Sequence, residues 1–281
     1  MSRRHERGMA LLGVVTALAA LVVVATGIAH TAVREQQRTT GALATLQADA
    51  LVRSAVATAS VLLGEHDLLG GTDTLRSPWA LPLGRQALGA GWVEAVVEDE
   101  ARRLDLGSPV GRDAFPRLLG LVDVDPDVAD ALADWIDTDD TERPHGAERH
   151  WYLAQRRPIV PPNTPLRAFG ELGAVRGMSS RALERLRRFV GTTGERGINP
   201  NTAPREVLLA WLDDSARVDA ILTARDTVAI PCDDLPGCAL RSAHYTLHIT
   251  ATVPPIRRTV DVTLWVAGGR ADVSAWRLAA D

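Results

Sequence analysis

The chain has 281 residues, 46% of them hydrophobic and 23% charged, with a formal net charge of −4. That balance excludes wholesale disorder and collagen-like repeats, and it supplies no global attraction to nucleic acid. Two cysteines exclude both a four-thiolate zinc site and a disulfide-dense miniprotein. Residues 2–7 carry three Arg and one Glu, and Met9 to Ala29 then run without a charge. As a helix that run is about 30 Å long, enough to cross a bilayer. The Arg cluster before it keeps the N-terminus cytoplasmic and sends residues 30–281 to the other side. A secretory signal peptide cut after Ala29 and a plain signal anchor both fit this segment.

Residues 30–64 contain no Pro, and Leu43, Leu46, Ala50, Ala57 and Val61 follow helical spacing. The expectation is a stalk helix whose apolar stripe packs on a soluble domain. Gly70-Gly71, Ser77-Pro78 and Leu81-Pro82 mark a loop. Trp92–Glu98 reads as a strand. A helical block follows over roughly 108–230. Asp125 caps a helix through Ile136, Ser180 caps Arg181–Val190, and Thr202 caps Ala203–Leu212. Val218, Ile221 and Leu222 suggest another short helix. Tyr245–Val253 and Thr259–Val266 then alternate apolar and polar residues around Pro254-Pro255, which predicts an antiparallel pair with one buried face. His244 and His248 are expected on its solvated face. The fold class is α+β: a small α/β unit carrying a large helical insertion.

Residues 123–148 are strongly acidic, and Arg143 is the only basic Arg or Lys among them. With Asp137 as position one, Asp139 falls at three, Thr141 at five and Glu148 at twelve, as in a calcium loop. Glu142 at position six and Pro144 at eight exclude an EF-hand. A solvated acidic surface and another oxygen-rich loop both remain open. Cys232 and Cys238 form a small disulfide loop if their side of the membrane is oxidising, and two thiols otherwise. Their spacing is not C-x-x-C. Glu171–Val190 and Ile198–Leu222 are each similar to a helix-hairpin-helix module, and Arg181, Arg185, Arg187 and Arg188 make one basic helix. A membrane-anchored DNA-binding receptor is therefore the alternative function. No G-x-S-x-G, P-loop or H-E-x-x-H motif is present, so no enzyme is expected.

Arg7-Gly8-Met9-Ala10-Leu11-Leu12 resembles the site at which prepilin peptidase cuts pilin-like proteins after Gly on the cytoplasmic face. Ala133–Asp139, Pro144–Glu148, Tyr152, Asn163–Leu166, Glu171-Leu172, Val175–Gly177 and Ile198–Ala203 follow in an order and spacing that resemble one family. It is that of the K-type minor pseudopilins of type II secretion, and the likeness covers most of residues 8–212. The resemblance implies a pilin-like long N-terminal helix on a small antiparallel sheet, with a large inserted all-helical domain. Its segments would be a leader (1–8), a transmembrane helix (9–29), a stalk helix (30–64), the first part of the α/β domain (65–107), the insert (108–240) and the C-terminal strands (241–281). It implies cleavage after Gly8, methylation at Met9 and a single-pass inner-membrane protein with a periplasmic soluble domain. I-type and J-type minor pseudopilins are the implied partners, in a tip that starts and caps the pseudopilus. It also implies a structural calcium ion in the insert, for which Asp137, Asp139, Glu142 and Glu148 are the candidate ligands. Most pilin-like proteins carry Glu at the fifth mature position; here it is Gly13, as is typical of this family.

Overall fold

The computed structural model describes the backbone of residues 2–278 and the side chains of residues 14, 16, 18 and 20–278. One helix, α1 (Ser2–Leu68), runs without a break. It holds no Pro and is rich in Ala and Leu, which favours helix at every turn. At the helical rise it is on the order of 100 Å long. Gly70, at φ +66°, ends it in the left-handed conformation that suits a residue without Cβ.

The C-terminal half of α1 lies on a five-stranded sheet ordered β1 (Leu83–Leu88), β2 (Gly91–Asp99), β5 (His244–Val253), β6 (Ile256–Ala267) and β7 (Arg270–Leu278). Every neighbouring pair is antiparallel. Alternation decides its inner face: Tyr245, Leu247, Ile249, Ala251 and Val253 on β5, and Val260, Val262, Leu264 and Val266 on β6. Edge strands β1 and β7 have no clean alternation and go unmarked in the sequence reading. A hairpin signal for β7 does exist, because Gly268-Gly269 (φ +59° and +77°) supply the positive angles of a two-residue turn.

The stalk stripe is corrected by this packing. Leu43, Leu46, Ala50, Ala57 and Val61 face solvent, while Ala44, Ala48, Leu51, Val52, Ala55, Val56, Ala59 and Leu63 meet the sheet. Both sets have helical period, so spacing alone selects neither. Four alanines let the backbone approach the sheet closely, and the larger Leu43, Leu46 and Val61 are left outside. At its inner end α1 touches the β6–β7 turn: a Cβ on Gly64 would lie 2.5 Å from the Gly269 carbonyl oxygen. The Gly269 N–H donates to Asp67 Oδ2 at 2.8 Å.

Between Asp99 and His244 the chain leaves the sheet and builds a second core around Phe115, Leu118, Trp135, Tyr152, Leu186 and Leu208. Its pieces are β3 (Leu104–Asp105), α2 (Pro109–Leu121), α3 (Val128–Ile136), α4 (Arg149–Leu153), α5 (Ser180–Leu186), β4 (Val190–Gly191), α6 (Arg205–Leu212) and α7 (Ser215–Ala224). β3 and β4 pair in parallel. Ser108 caps α2, its Oγ accepting from the Gly111 N–H at 3.0 Å; Pro116 inside that helix hides it from pattern reading.

Several caps differ from expectation. Asp125 accepts from the Asp127 N–H in a turn before α3, so the helix starts three residues beyond it. Ser179, not Ser180, caps α5, through the Ala182 N–H. That helix stops at Leu186, because Val190 is taken into β4. Thr202 caps nothing; its hydroxyl donates to Asp99, and α6 begins after Pro204. Cys232 and Cys238 are joined in a disulfide, Cα to Cα 5.5 Å. The loop they close packs Leu235 into the second core and accepts the Trp211 indole N–H on the Pro236 carbonyl.

Candidate interaction face and acidic loop

Two features stand out beyond the cores, the outer face of the stalk and the carboxylates at the end of α3. On the stalk, Leu46 is 63% and Val61 60% exposed, and Val33 and Leu43 are exposed on the same helix. They continue the exposed apolar run of Leu21–Val24 and Ile28 toward the N-terminus. From Ala20 to Leu68 the described helix is long and apolar enough to cross a membrane, by length and composition. A row of large aliphatic side chains outside a membrane span fits association with another apolar helix, at roughly 25 cal/mol per Å² covered. Gly8 and Met9 lie on the backbone of α1, but their side-chain surroundings fall outside the described residues.

In the acidic loop, Asp134 is fully buried and receives the Arg143 guanidinium at 2.5 Å and its backbone N–H at 3.1 Å. The same guanidinium reaches Asp137 Oδ2 at 2.6 Å. Gly146 leaves the space for this: a Cβ there would fall 1.8 Å from Asp134 Oδ2. Glu148, 2% exposed, lies close by, and neither of its oxygens meets a hydrogen-bond partner among the described residues. Asp137 Oδ1 is buried in the same condition. Burial, then the charges of Asp134, Asp137 and Asp140, push the Glu148 carboxyl up.

The four sequence-selected carboxylates are not gathered around one point. Asp137 and Glu148 share the Asp134 neighbourhood. Asp139 is exposed and accepts from the Thr141 N–H, which holds its carboxyl below the usual range. Glu142 faces Arg176 at 3.6 Å and His150 at 3.5 Å. No cluster of three metal-binding side chains forms among the described residues. Asp134 belongs to the group on geometry, and nothing in the loop spacing marks it.

Two of the four arginines expected on one basic helix have partners within the molecule, and Arg187 and Arg188 lie beyond the end of α5 at Leu186. Arg185 pairs with Asp123, and Arg187 approaches Glu184 and stacks over Phe169. The strand histidines are half-buried and paired, His244 with Glu195 at 3.0 Å and His248 with Asp261 at 2.7 Å. This corrects the expectation of a solvated face: Glu195 of the insert meets His244, and the cross-strand carboxylates Glu98 and Asp261 flank His248. Contact with Glu98, then with Asp261, raises the His248 pKa against the effect of burial.

Known proteins share this architecture. Residues 95–194 match the family model described as Type II secretion system (T2SS), protein K. The Type II secretion system protein K of Klebsiella pneumoniae is 29% identical over 229 residues, spanning 74% of this chain and 70% of that protein. These matches support a K-type minor pseudopilin of type II secretion. A second protein K relative, from Escherichia coli (strain K12), is 29% identical over 217 residues, 70% of this chain and 66% of that protein. The fold matches a chain of the GspK-GspI-GspJ complex from enterotoxigenic Escherichia coli, with a TM-score of 0.72 and 21% identity. That likeness covers 87% of this chain and all of the other. The likenesses support a minor pseudopilin role in type II secretion, and the long N-terminal helix, antiparallel sheet and further helices agree with that fold.

Proposed function

We propose that this minor pseudopilin stands at the tip of the pseudopilus, bound to I-type and J-type partners, where it starts and caps assembly. The observation that carries the reading is the exposed aliphatic row on α1, continuous with the membrane-spanning part. A pilin-like helix laid beside α1 would cover that row. Gly13 supports the tip position: without a carboxylate at the fifth mature position, nothing in the membrane asks for a subunit above. The similar fold comes from a protein solved together with two other Gsp chains. The N-terminus is cytoplasmic and the soluble part periplasmic, prepilin peptidase cuts after Gly8, and Met9 becomes the methylated first residue. The role is structural rather than catalytic.

Calcium fits the acidic loop. Asp134 and Glu148 are buried and Asp137 is half-buried, Asp134 and Asp137 share the Arg143 guanidinium, and one oxygen of Asp137 and both of Glu148 lack partners among the described residues. All are hard oxygen donors. Asp137 and Glu148 would hold the ion, with Asp139 and Glu142 joining only if the loop closes. Bound calcium would neutralise charge that burial otherwise penalises.

Intact mass of the membrane-extracted protein from its own host tests processing; a chain starting at Met9 with a methyl group is expected, and a start at Met1 or His30 sinks the reading. Leu46→Glu with Val61→Glu should abolish co-purification of the I-type and J-type partners while the variant stays folded. Glu148→Gln with Asp137→Asn should remove calcium-dependent thermal stabilisation.

A further inference from the structure

The turn Ile198–Ala203 lies where the insert meets both the sheet and the end of the stalk. Asn199 Nδ2 donates to the Asp73 carbonyl at 3.0 Å and to Asp99 Oδ2 at 3.3 Å. Thr202 Oγ1 donates to the same Asp99 oxygen at 2.8 Å. The Asn199 N–H donates to the Ala101 carbonyl at 2.8 Å, and the Ala101 N–H to Ser242 Oγ at 2.8 Å. Asp73 takes three more donors: the Ser242 N–H, the Tyr245 hydroxyl, both at 2.7 Å, and His66 Nε2 at 2.8 Å. Asp73, Asp99, Asn199 and Thr202 are all buried. One side-chain cluster thus joins α1, β2, β5 and the insert.

We propose that this turn is a pH-sensitive latch. It holds the insert on the sheet while Asp99 carries a proton, and it loosens when Asp99 ionises. Two carboxylates are buried beside one Asn199 amide, so a second negative charge has no cation of its own inside the cluster. The groups facing Asp99 are few. His66 comes from α1 and Asp73 from the loop after it. Arg102 and Arg103 follow β2, but Glu98 and Glu100 already pair with them. Tyr245 comes from β5, Arg241 precedes it, and Arg225, just after α7, is spent on the Pro200 and Ala203 carbonyls. Burial, then the Asp73 charge, pushes the Asp99 carboxyl up to about 7, against Thr202, Arg102 and Asn199. Burial raises Asp73 as well.

The sign follows from linkage. In the closed state Asp99 keeps its proton to about pH 7, whereas opened to water it loses it near the ordinary carboxyl value. Opening therefore becomes easier as pH rises, about tenfold per pH unit between about 4 and about 7, and levels off above. At low pH the latch is tightest.

The test is hydrogen exchange of the Ala101 and Asn199 amides in the full chain held in detergent, corrected for intrinsic rates, across this pH range. The expected result is a rising opening constant in the wild type and a flat one in Asp99→Asn, whose amide oxygen still accepts from Thr202. A slope carried unchanged into Asp99→Asn, or no slope in the wild type, overturns the proposal. Should Asp99→Asn not fold, Thr202→Val keeps the carboxyl and removes a donor that favours its ionised form. Levelling at a higher pH is then expected, and levelling at the wild-type pH overturns the latch.

Discussion

The sheet core and the insert core solve the same problem differently. In the first, one long helix and a five-stranded sheet bury aliphatic side chains in regular rows, with Ala44, Ala48, Ala55 and Ala59 setting a close approach. In the second, helices of 13 residues or fewer cross an irregular centre, and buried polar groups fix their places: Asp134 on Arg143, Asp105 on the Gly194 and Glu195 amides, Asn201 on Ile230. Short helices are marginal alone. The insert therefore depends on satisfied polar pairs where the sheet depends on periodicity.

The sharpest break of this contrast is a matched pair of truncations. Phe115→Ala in the insert should cost about 3–5 kcal/mol and Leu247→Ala in the sheet about 2–5 kcal/mol. Phe115→Ala is expected to raise amide exchange throughout the insert and leave β5 and β6 protected; uniform loss over both would show one cooperative core. Next, Ala48→Leu should destabilise by about 1–3 kcal/mol through overpacking against the sheet. On the other face of α1, Leu46→Ala should stay within about 0.5 kcal/mol in chemical denaturation. Gly146→Ala pits a methyl group against Asp134 and should cost about 1–3 kcal/mol in thermal melts.

The smallest effect is that of His248. Its folded pKa is raised above 6.5 by Glu98 and Asp261, so its contribution is fully present below that value and fades as pH climbs through the raised one. Partial exposure keeps it below about 1 kcal/mol. His248→Gln should flatten stability against pH in that upper window alone.

What the sequence makes legible follows from the same contrast. Strands β5 and β6 are visible because alternation is a direct print of a two-faced sheet. The stalk is visible as a helix but not as an orientation, since Leu43–Val61 and Ala44–Leu63 both repeat helically. In the insert, composition announces helices, yet their ends move. Ser180 loses the cap to Ser179, and Thr202 reaches across the fold to Asp99. Such partners are 103 residues apart in the chain, and local spacing carries no trace of them. Of the acidic loop, Asp137 and Glu148 can be picked by spacing, whereas Asp134 enters only because the turn at Gly146 folds Arg143 back onto it.

The meeting of Gly64 with the β6–β7 turn also bears on how the molecule carries load. Were α1 to slide along the sheet by one helical turn, about 5.4 Å, Ser60 or Leu68 would arrive where Gly64 now stands. Neither fits against a backbone that a single Cβ would already strike at 2.5 Å. The glycine contact thus acts as a detent, indexing the stalk at one axial position. A load applied along α1 would then reach the sheet at a fixed register.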